Sequence, residues 1–388
     1  MNGRTEEALR AAVRDLADEA RGAPDIAGRA LRRGRSLRRR RRVVAAGAAL
    51  AATAVLAGPF VWLRPDPPAG PARWAAPPAT STPPPSGPAA PPAASTPSPS
   101  GPVAAPPPAG DWARGPLALP GGWVLTGATS TGTPAELGYA LDRSAGRYVT
   151  SRYEETWAAP RGGVAAVVDY ERRGELGLLE LRTGQVRWVK VGSFIMTPHW
   201  SPDGRRLALT LMDKDDGGFS LGVLTVDTAD YRTFPVDGKR YLCTDQCFFT
   251  WSRDGAEVAL QQTDPDASVS ESQPHARRGV QFFSPDDGRP SRFVPVKGDP
   301  DGPWSWSPDG RSVIVKGPDG PLLAEVATGR TIGPAPAADA AWVAGDQLLY
   351  RDRRANEMLL VDLAGRVLAR QALPPALEAN PVLAVAPR

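Results

Sequence analysis

Cysteine and histidine are scarce in this chain, whose 388 residues include only two of each. Two cysteines and two distant histidines, His199 and His275, do not make a four-ligand zinc site. The scarcity also counts against a serine hydrolase. The segment Gly218-Phe219-Ser220-Leu221-Gly222 matches the nucleophile-elbow pattern, but an apolar strand rather than a helix follows it. We therefore expect no catalytic residue, no cofactor and no metal, in a protein that is not an enzyme.

Long hydrophobic runs are also few. Residues 43–63 form one uncharged stretch of 21 residues, directly after the arginines Arg38 to Arg42. As a helix this stretch would be about 31 Å long, enough to cross a hydrocarbon core of about 30 Å. The arginines place the N-terminus in the cytoplasm. The sequence predicts a single-pass protein of the cell membrane, with a cleaved signal peptide as the alternative.

Positive charge is concentrated at the N-terminus. Residues 1–42 contain 13 arginines and six acidic residues, so residues 43–388 carry a net charge of −3 within the total of +4. The high isoelectric point therefore gives no reason to expect nucleic-acid binding by the folded part. Within this basic cytoplasmic segment, residues 5–20 have the apolar spacing of a short amphipathic helix. That helix is either a docking site for a cytoplasmic partner or a plain pre-anchor segment.

Proline and alanine dominate the next part of the chain, where residues 65–110 contain 18 prolines and 12 alanines. Such a composition cannot bury a core and favours polyproline II or disorder. We expect a disordered stalk at residues 64–110, followed by one folded domain at residues 111–388.

A repeated turn organises that domain. The segment Trp200-Ser201-Pro202-Asp203-Gly204 returns as Trp251-Ser252-Arg253-Asp254-Gly255 and as Trp306-Ser307-Pro308-Asp309-Gly310, each copy followed by an apolar run. Proline sets the second position of a type I turn, and glycine supplies the positive φ that lets an antiparallel strand leave. Each copy therefore predicts a strand, a tight turn and a strand.

A second, weaker repeat of two apolar strands around a turn occurs six times. The copies are residues 138–149, 177–188, 223–234, 280–294, 322–332 and 358–368. Together the two repeats give four-stranded antiparallel units of roughly 40–50 residues, the signature of propeller blades. The sequence predicts an all-β, six-bladed propeller.

The three Trp-Ser-Pro-Asp-Gly-type turns resemble the WD-like repeats of the TolB-type β-propeller family. The resemblance implies a ring closed by a terminal strand such as residues 381–385. It also implies partners among envelope proteins, because soluble TolB-type members belong to envelope machines; a cell-wall ligand is a further option. The tryptophan and Asp-Gly positions are interpreted as architectural.

Long connections are predicted on one face of the propeller. In an antiparallel blade, the connection between the second and third strands lies on the same face as the connection to the next blade. Such loops on a rigid scaffold are the expected binding surface. The predicted loops are residues 211–218, 237–247, 262–278, 297–303 and 351–357. The sequence favours a non-catalytic binding or scaffolding module. Alternatives are an envelope enzyme of glycosidase or lyase type with its site in the channel, and a transmembrane signal coupler.

Cys243 and Cys247 are the only cysteines, and an exported domain favours a disulfide between them. An extended strand would separate their Cα atoms by about 13 Å, so the bond requires a turn at residues 244–246. The nearby residues 213–217 have alternating carboxylates but lack the distal glutamate of a calcium loop, so a solvated loop is favoured over a calcium site.

Overall fold

The computed structural model of the protein describes residues 103–105, 111–129, 137–161, 163–192, 194–212, 219–238, 240–241, 248–267 and 275–388. The predicted cytoplasmic segment, the hydrophobic segment 43–63 and most of the stalk lie outside these residues. Within the described ranges, no helix has the length and apolar character needed to cross a membrane.

The strands follow one another in four-strand groups, as the two repeats predict. The chain begins with β1 (Val103–Ala105) and then forms blade 1 with β2 (Ala118–Leu119), β3 (Trp123–Thr129), β4 (Gly138–Asp142) and β5 (Arg147–Ser151). Blade 2 contains β6 (Glu155–Ala158), β7 (Val164–Val168), β8 (Glu175–Glu180) and β9 (Val186–Lys190). Blade 3 contains β10 (Phe194–Trp200), β11 (Arg206–Met212), β12 (Phe219–Thr225) and β13 (Tyr231–Val236).

The second half of the ring repeats this order. Blade 4 contains β14 (Thr250–Trp251), β15 (Val258–Thr263), β16 (Arg277–Phe283) and β17 (Pro290–Val294). Blade 5 contains β18 (Ser312–Gly317), β19 (Gly320–Glu325) and β20 (Thr331–Pro334). Blade 6 contains β21 (Ala341–Ala344), β22 (Gln347–Asp352), β23 (Glu357–Asp362) and β24 (Val367–Ala372), and the chain ends with β25 (Val382–Pro387).

The ring is closed by the C-terminal strand. β25 pairs antiparallel with β3 over almost its whole length, from Val382 opposite Thr129 to Pro387 opposite Trp123. The innermost strand of blade 1 is therefore β25, and the short β2 lies on the other edge of β3. The predicted closure by a terminal strand is confirmed. Six antiparallel blades in sequence order define a six-bladed β-propeller.

Blade 5 departs from the predicted pattern at its first strand. Before Trp306, the chain forms a 3₁₀ turn at Pro303–Ser305, and Trp306 keeps a single bridge to Val313. Pro303 has no N–H to give to a strand ladder. The hydroxyl of Ser305 accepts hydrogen bonds from the backbone N–H groups of Asp301 and Gly302 instead. The sequence prediction of a full inner strand here was wrong.

One short strand lies inside the segment that the sequence assigns to the stalk. β1 pairs in parallel with β24, with Val103 opposite Ala369 and Ala105 opposite Gln371. β24 is the outermost strand of blade 6 and offers unpaired backbone groups along its free edge. Val103 is the only valine in residues 65–110, which fits this position. Residues 103–105, which the sequence assigns to the predicted stalk, therefore lie at the outer edge of blade 6.

The hydrophobic core lies between neighbouring blades. The second strand of a blade is covered on both faces, and β3 and β15 are buried at every position. Between blades 3 and 4, Trp251, Phe249 and Phe283 pack with Leu221 and Val258. Because each blade needs a neighbour on both sides to bury its faces, ring closure is a condition for stability rather than an addition to it.

Candidate functional site

The propeller has two different faces. The turn face holds the connections between first and second strands and between third and fourth strands, which are two to six residues long. The loop face holds the connections between second and third strands and between blades. Its two longest connections have thirteen residues each, residues 237–249 and 264–276. The predicted long loops fall on this face, as the sequence indicates.

The repeated turn satisfies its own polar groups on the turn face. The hydroxyl of Ser252 donates to Asp254 over 2.6 Å and accepts the backbone N–H of Glu257 over 3.0 Å. The same serine–aspartate bond occurs at Ser201 and at Ser307. The serine hydroxyl is the main reason that the pKa of Asp254 lies below its ordinary value. These contacts support the architectural interpretation of the repeated turn.

Two of the three tryptophans of this turn, Trp200 and Trp251, join neighbouring blades. The indole N–H of Trp200 in blade 3 donates to the carbonyl of Trp157 in blade 2 over 2.8 Å. The indole N–H of Trp251 in blade 4 donates to the carbonyl of His199 in blade 3 over 2.9 Å. Each bond connects one innermost strand to the next around the axis, so these side chains hold the ring together.

On the turn face, side chains near the propeller axis also connect blades that are not neighbours. Arg253 of blade 4 donates to the carbonyl of Trp306 in blade 5 over 2.9 Å and to that of Trp342 in blade 6 over 3.3 Å. Trp304 of blade 5 packs edge-on against Trp123 of blade 1, with ring centroids 5.2 Å apart. Blades 4 and 6 are not neighbours, nor are blades 5 and 1, so these contacts form only near the axis. They narrow the channel at this face.

Charged side chains gather on the loop face of blades 5 and 6. Arg353 lies 3.4 Å from Asp339, in an exposed ion pair. Asp301, just before the 3₁₀ turn of blade 5, interacts with both. Surrounding protein, followed by repulsion from Asp339, raises the pKa of Asp301 to about 7, and Arg353 offsets part of this. We call Asp301, Asp339 and Arg353 the carboxylate cluster. This cluster has two carboxylates and one guanidinium.

The ionised form of Asp301 is expected to destabilise the folded chain, so the contribution of Asp301 to stability falls as the pH rises. The pKa of Asp301 is higher in the folded chain than in the unfolded chain. Between about pH 4 and pH 7 the folded chain therefore keeps a proton on Asp301 that the unfolded chain has already released, and the free energy of unfolding falls as the pH rises through this range. Asp301→Asn removes this penalty. Because Asp301 keeps contact with water, we expect an increase in Tm of only roughly 2–4 °C at pH 8, or about 1 kcal/mol.

The control for this prediction is Asp319→Asn, which changes an exposed aspartate on the same face. Thermal unfolding of both variants is followed at pH 5 and pH 8. The gain of Asp301→Asn over the parent chain should be larger at pH 8 than at pH 5, and Asp319→Asn should show no such difference. An equal gain in Tm at both pH values would mean that the pKa of Asp301 is not raised in the folded chain.

Blade 4 contributes a buried ion pair to the loop face. Arg277 Nε lies 2.7 Å from Asp299 Oδ1, and their side chains are only 5 % and 14 % exposed. Two residues before Arg277, His275 is buried, and within the part of the chain that the structure describes neither ring nitrogen has a hydrogen-bond partner. Asp299 and Asp301 are two residues apart, so this pair and the carboxylate cluster lie on one continuous segment.

The second histidine lies on an innermost strand. His199 is half-buried in β10, and its Nε2 atom has no hydrogen-bond partner among the described residues. Burial lowers the pKa of His199 to about 4, so its ring is neutral at neutral pH. A neutral ring of this kind fits packing between blades. Among the described residues, neither histidine is hydrogen-bonded to a serine in the manner of a hydrolase.

The nucleophile-elbow pattern, the two cysteines and the acidic loop are the remaining candidates from the sequence. Ser220 is the second residue of β12, opposite Leu211 and Pro235, so it lies in a strand and not at a nucleophile elbow. Cys243, Cys247 and residues 213–217 lie outside the described residues, so the disulfide stays a prediction. Across the described ranges, no group of three or more His, Cys, Asp or Glu side chains is arranged to hold a metal ion.

Sequence reasoning located the loops but not the charges. Asp301 and Arg353 fall inside two predicted loops, residues 297–303 and 351–357. Nothing in the local sequence marks them, because Asp339 reaches them from a third connection. The partners of Arg277 and Arg253 are likewise distant in sequence. Charge pairing across blades depends on the ring, which a single sequence does not show.

Comparisons with known proteins assign no family to the chain. No family model matches the chain, and no curated protein matches it. Among solved structures, it is similar to hydrazine synthase of Kuenenia stuttgartiensis, at 10 % identity and a TM-score of 0.43, over 65 % of this chain and 83 % of that one. It is also similar to TolB of Acinetobacter baumannii, at 18 % identity and a TM-score of 0.42, over 64 % and 62 %.

A third similar structure is Hsv2 of Kluyvelomyces marxianus, at 9 % identity and a TM-score of 0.35, over 65 % of this chain and 96 % of that one. The class assigned to the chain rests on its own strand pairing. It is a six-bladed β-propeller with a closely bonded turn face and a charged loop face.

Proposed function

We propose that this protein is anchored in the cell membrane by residues 43–63 and holds its propeller outside the cytoplasm. In this proposal the propeller is a non-catalytic binding module for envelope proteins. The uncharged segment of 21 residues directly after five arginines supports the anchor and its orientation. The proline-rich stalk supports a domain that works at a distance from the bilayer.

The difference between the two faces carries the proposal. On the turn face, short turns satisfy their own polar groups, and Arg253 and Trp304 cross the axis. The loop face has the longest connections, and it also carries exposed charges on blades 5 and 6, including an aspartate whose pKa is raised to about 7. A carboxylate that costs stability is typical of residues that serve binding or catalysis. We therefore place the binding surface on the loop face.

A second candidate function has one specific observation in its favour. Asp301, with its raised pKa, lies near a second carboxylate, Asp339. Two carboxyl groups with different pKa values are the usual acid and base of glycoside hydrolysis. This candidate requires that Asp301→Asn abolish turnover of an envelope glycan. If the propeller is a binding module instead, capture of a partner should depend on the loop face as a whole and not on a single carboxyl group.

The test compares the two faces in living cells. A photo-crosslinking amino acid replaces Arg240 on the loop face or Arg311 on the turn face of the full chain. Both side chains are well exposed, 69 % and 86 %. We expect defined envelope-protein adducts from position 240 and at least several-fold fewer from position 311. Equal capture from both positions, or none from position 240, would reject the loop face as the binding surface.

A further inference from the structure

A cavity of about 150 Å³ lies between blades 5 and 6. Its walls are mostly apolar and include Leu323, Pro334 and Pro336 of blade 5 and Tyr350, Val361 and Leu363 of blade 6. A dry cavity of about this size accepts a group as large as benzene. The volume therefore suits a single apolar ring.

The backbone around the cavity has little hydrogen-bonding capacity left. The N–H of Ala335 already donates to Pro321 over 3.0 Å, and that of Leu363 donates to Asp346 over 3.1 Å. Proline contributes no N–H at all. Burial, followed by repulsion from Asp352, raises the pKa of Tyr350, so its hydroxyl stays protonated at neutral pH and can donate a hydrogen bond. The cavity thus offers one donor, Tyr350, in apolar surroundings.

The chain itself passes beside this cavity. Val103 is paired in parallel opposite Ala369 of β24. The residues that form one wall, Asp362, Leu363 and Gly365, lie just before β24. Because the pairing is parallel, the chain that leads into Val103 arrives from the side of this wall. That chain is proline-rich, with Pro97, Pro99 and Pro102.

We propose that the stalk at residues 91–102 docks into the cavity between blades 5 and 6. A proline ring fills the apolar space, and the hydroxyl of Tyr350 donates to a stalk carbonyl. Polyproline II suits this role, because its backbone carbonyls have no internal partners and it loses little entropy on binding. Docking would fix the point at which the stalk leaves the propeller and so restrict how the loop face can turn.

The test places p-benzoylphenylalanine at Ser98 in the full membrane-bound chain. This position is outside the described fold, so the propeller forms in every sample. After illumination, mass spectrometry should find intrachain adducts on peptides with residues 334–336, 350 or 361–365. The same probe at Ser81 should give at least five-fold fewer. Adducts spread over the propeller, adducts mainly on other proteins, or no adducts would each overturn the proposal.

A second pair of variants tests the chemistry of docking. Tyr350→Phe keeps the ring but removes the donor, and we expect the Ser98 adducts to fall several-fold. In the stalk, replacement of Pro97 and Pro99 by serine should remove them, whereas the matched replacement of Pro83 and Pro85 should leave them unchanged. Equal adduct yields in all of these variants would show that docking depends neither on the hydroxyl of Tyr350 nor on Pro97 and Pro99.

Discussion

Replacing Arg351 by methionine is expected to destabilise the propeller by about 3 kcal/mol, because buried carbonyl groups lose a charged donor. The guanidinium of Arg351, in blade 6, donates to the carbonyls of Asn380 over 2.7 Å and Leu377 over 2.8 Å. These residues form the turn that leads into the closing strand β25. Asn380 in turn donates to the carbonyl of Thr129 in blade 1 over 3.1 Å. The variant therefore weakens the point at which the ring closes.

Thermal and denaturant unfolding measure this effect, and about 3 kcal/mol corresponds to a fall in Tm of roughly 6–10 °C. The matched control is Arg354→Met, which removes an exposed arginine three residues later and should change stability by less than about 0.5 kcal/mol. Asn380→Ala should destabilise as well, and the double variant should lose less than the two single losses added together. If the two losses in the free energy of unfolding simply add, Arg351 and Asn380 stabilise the propeller independently of each other.

Replacing Arg253 by methionine is expected to cost a similar amount, about 3 kcal/mol, for a different reason. Arg253 takes the place of the proline found at the same position in the other two copies of the turn, Pro202 and Pro308. Its guanidinium bonds to carbonyls of blades 5 and 6, and burial lowers its pKa. Without it, two carbonyls near the axis lose their donor and three blades lose a common contact.

Denaturant unfolding of Arg253→Met is compared with Arg205→Met, an exposed arginine in the equivalent turn of blade 3. The control should stay within about 0.5 kcal/mol of the parent chain. Arg253→Lys should recover only part of the loss, because one ammonium group cannot serve both carbonyls with the geometry of a guanidinium. If Arg253→Met unfolds like the parent chain, the contact across the axis contributes nothing to stability.

The repeated turns were predictable because their chemistry is local. Serine, aspartate and glycine within five residues make the hydrogen bonds of the turn, and Gly204, Gly255 and Gly310 have φ values of 71°, 71° and 70°. The left-handed region that these values occupy favours glycine. Six copies of the weaker strand pair then give the number of blades, which the strand pairing confirms.

Features that depend on the ring were not predictable in detail. The resemblance to TolB-type propellers suggested closure by a terminal strand, yet the sequence did not show that β2 would move to the other edge of β3. In blade 5 the repeated turn is nearly perfect, and Pro303 still replaces the expected strand with a 3₁₀ turn. Near-identity of a turn therefore does not guarantee the strand before it.

The candidate site was predictable as a face but not as a set of residues. Residues 297–303 were recognised as a loop, whereas the predicted loop 351–357 contains only the four residues 353–356 between β22 and β23. The interaction of Asp301 with Asp339 and Arg353 joins two blades, and no local pattern encodes it. The same holds for Arg351, whose partners are carbonyl groups of the closing turn.

We propose that the loop face, and not the turn face, binds envelope proteins. Photo-crosslinking from position 240 and from position 311 of the full chain separates the two faces, and the experiment is repeated with residues 265–273 replaced by a Gly-Ser linker. We expect defined adducts from position 240, several-fold fewer from position 311, and loss of the position-240 adducts when the loop is replaced. Adducts of equal yield from position 311, or adducts unaffected by the loop, would contradict it.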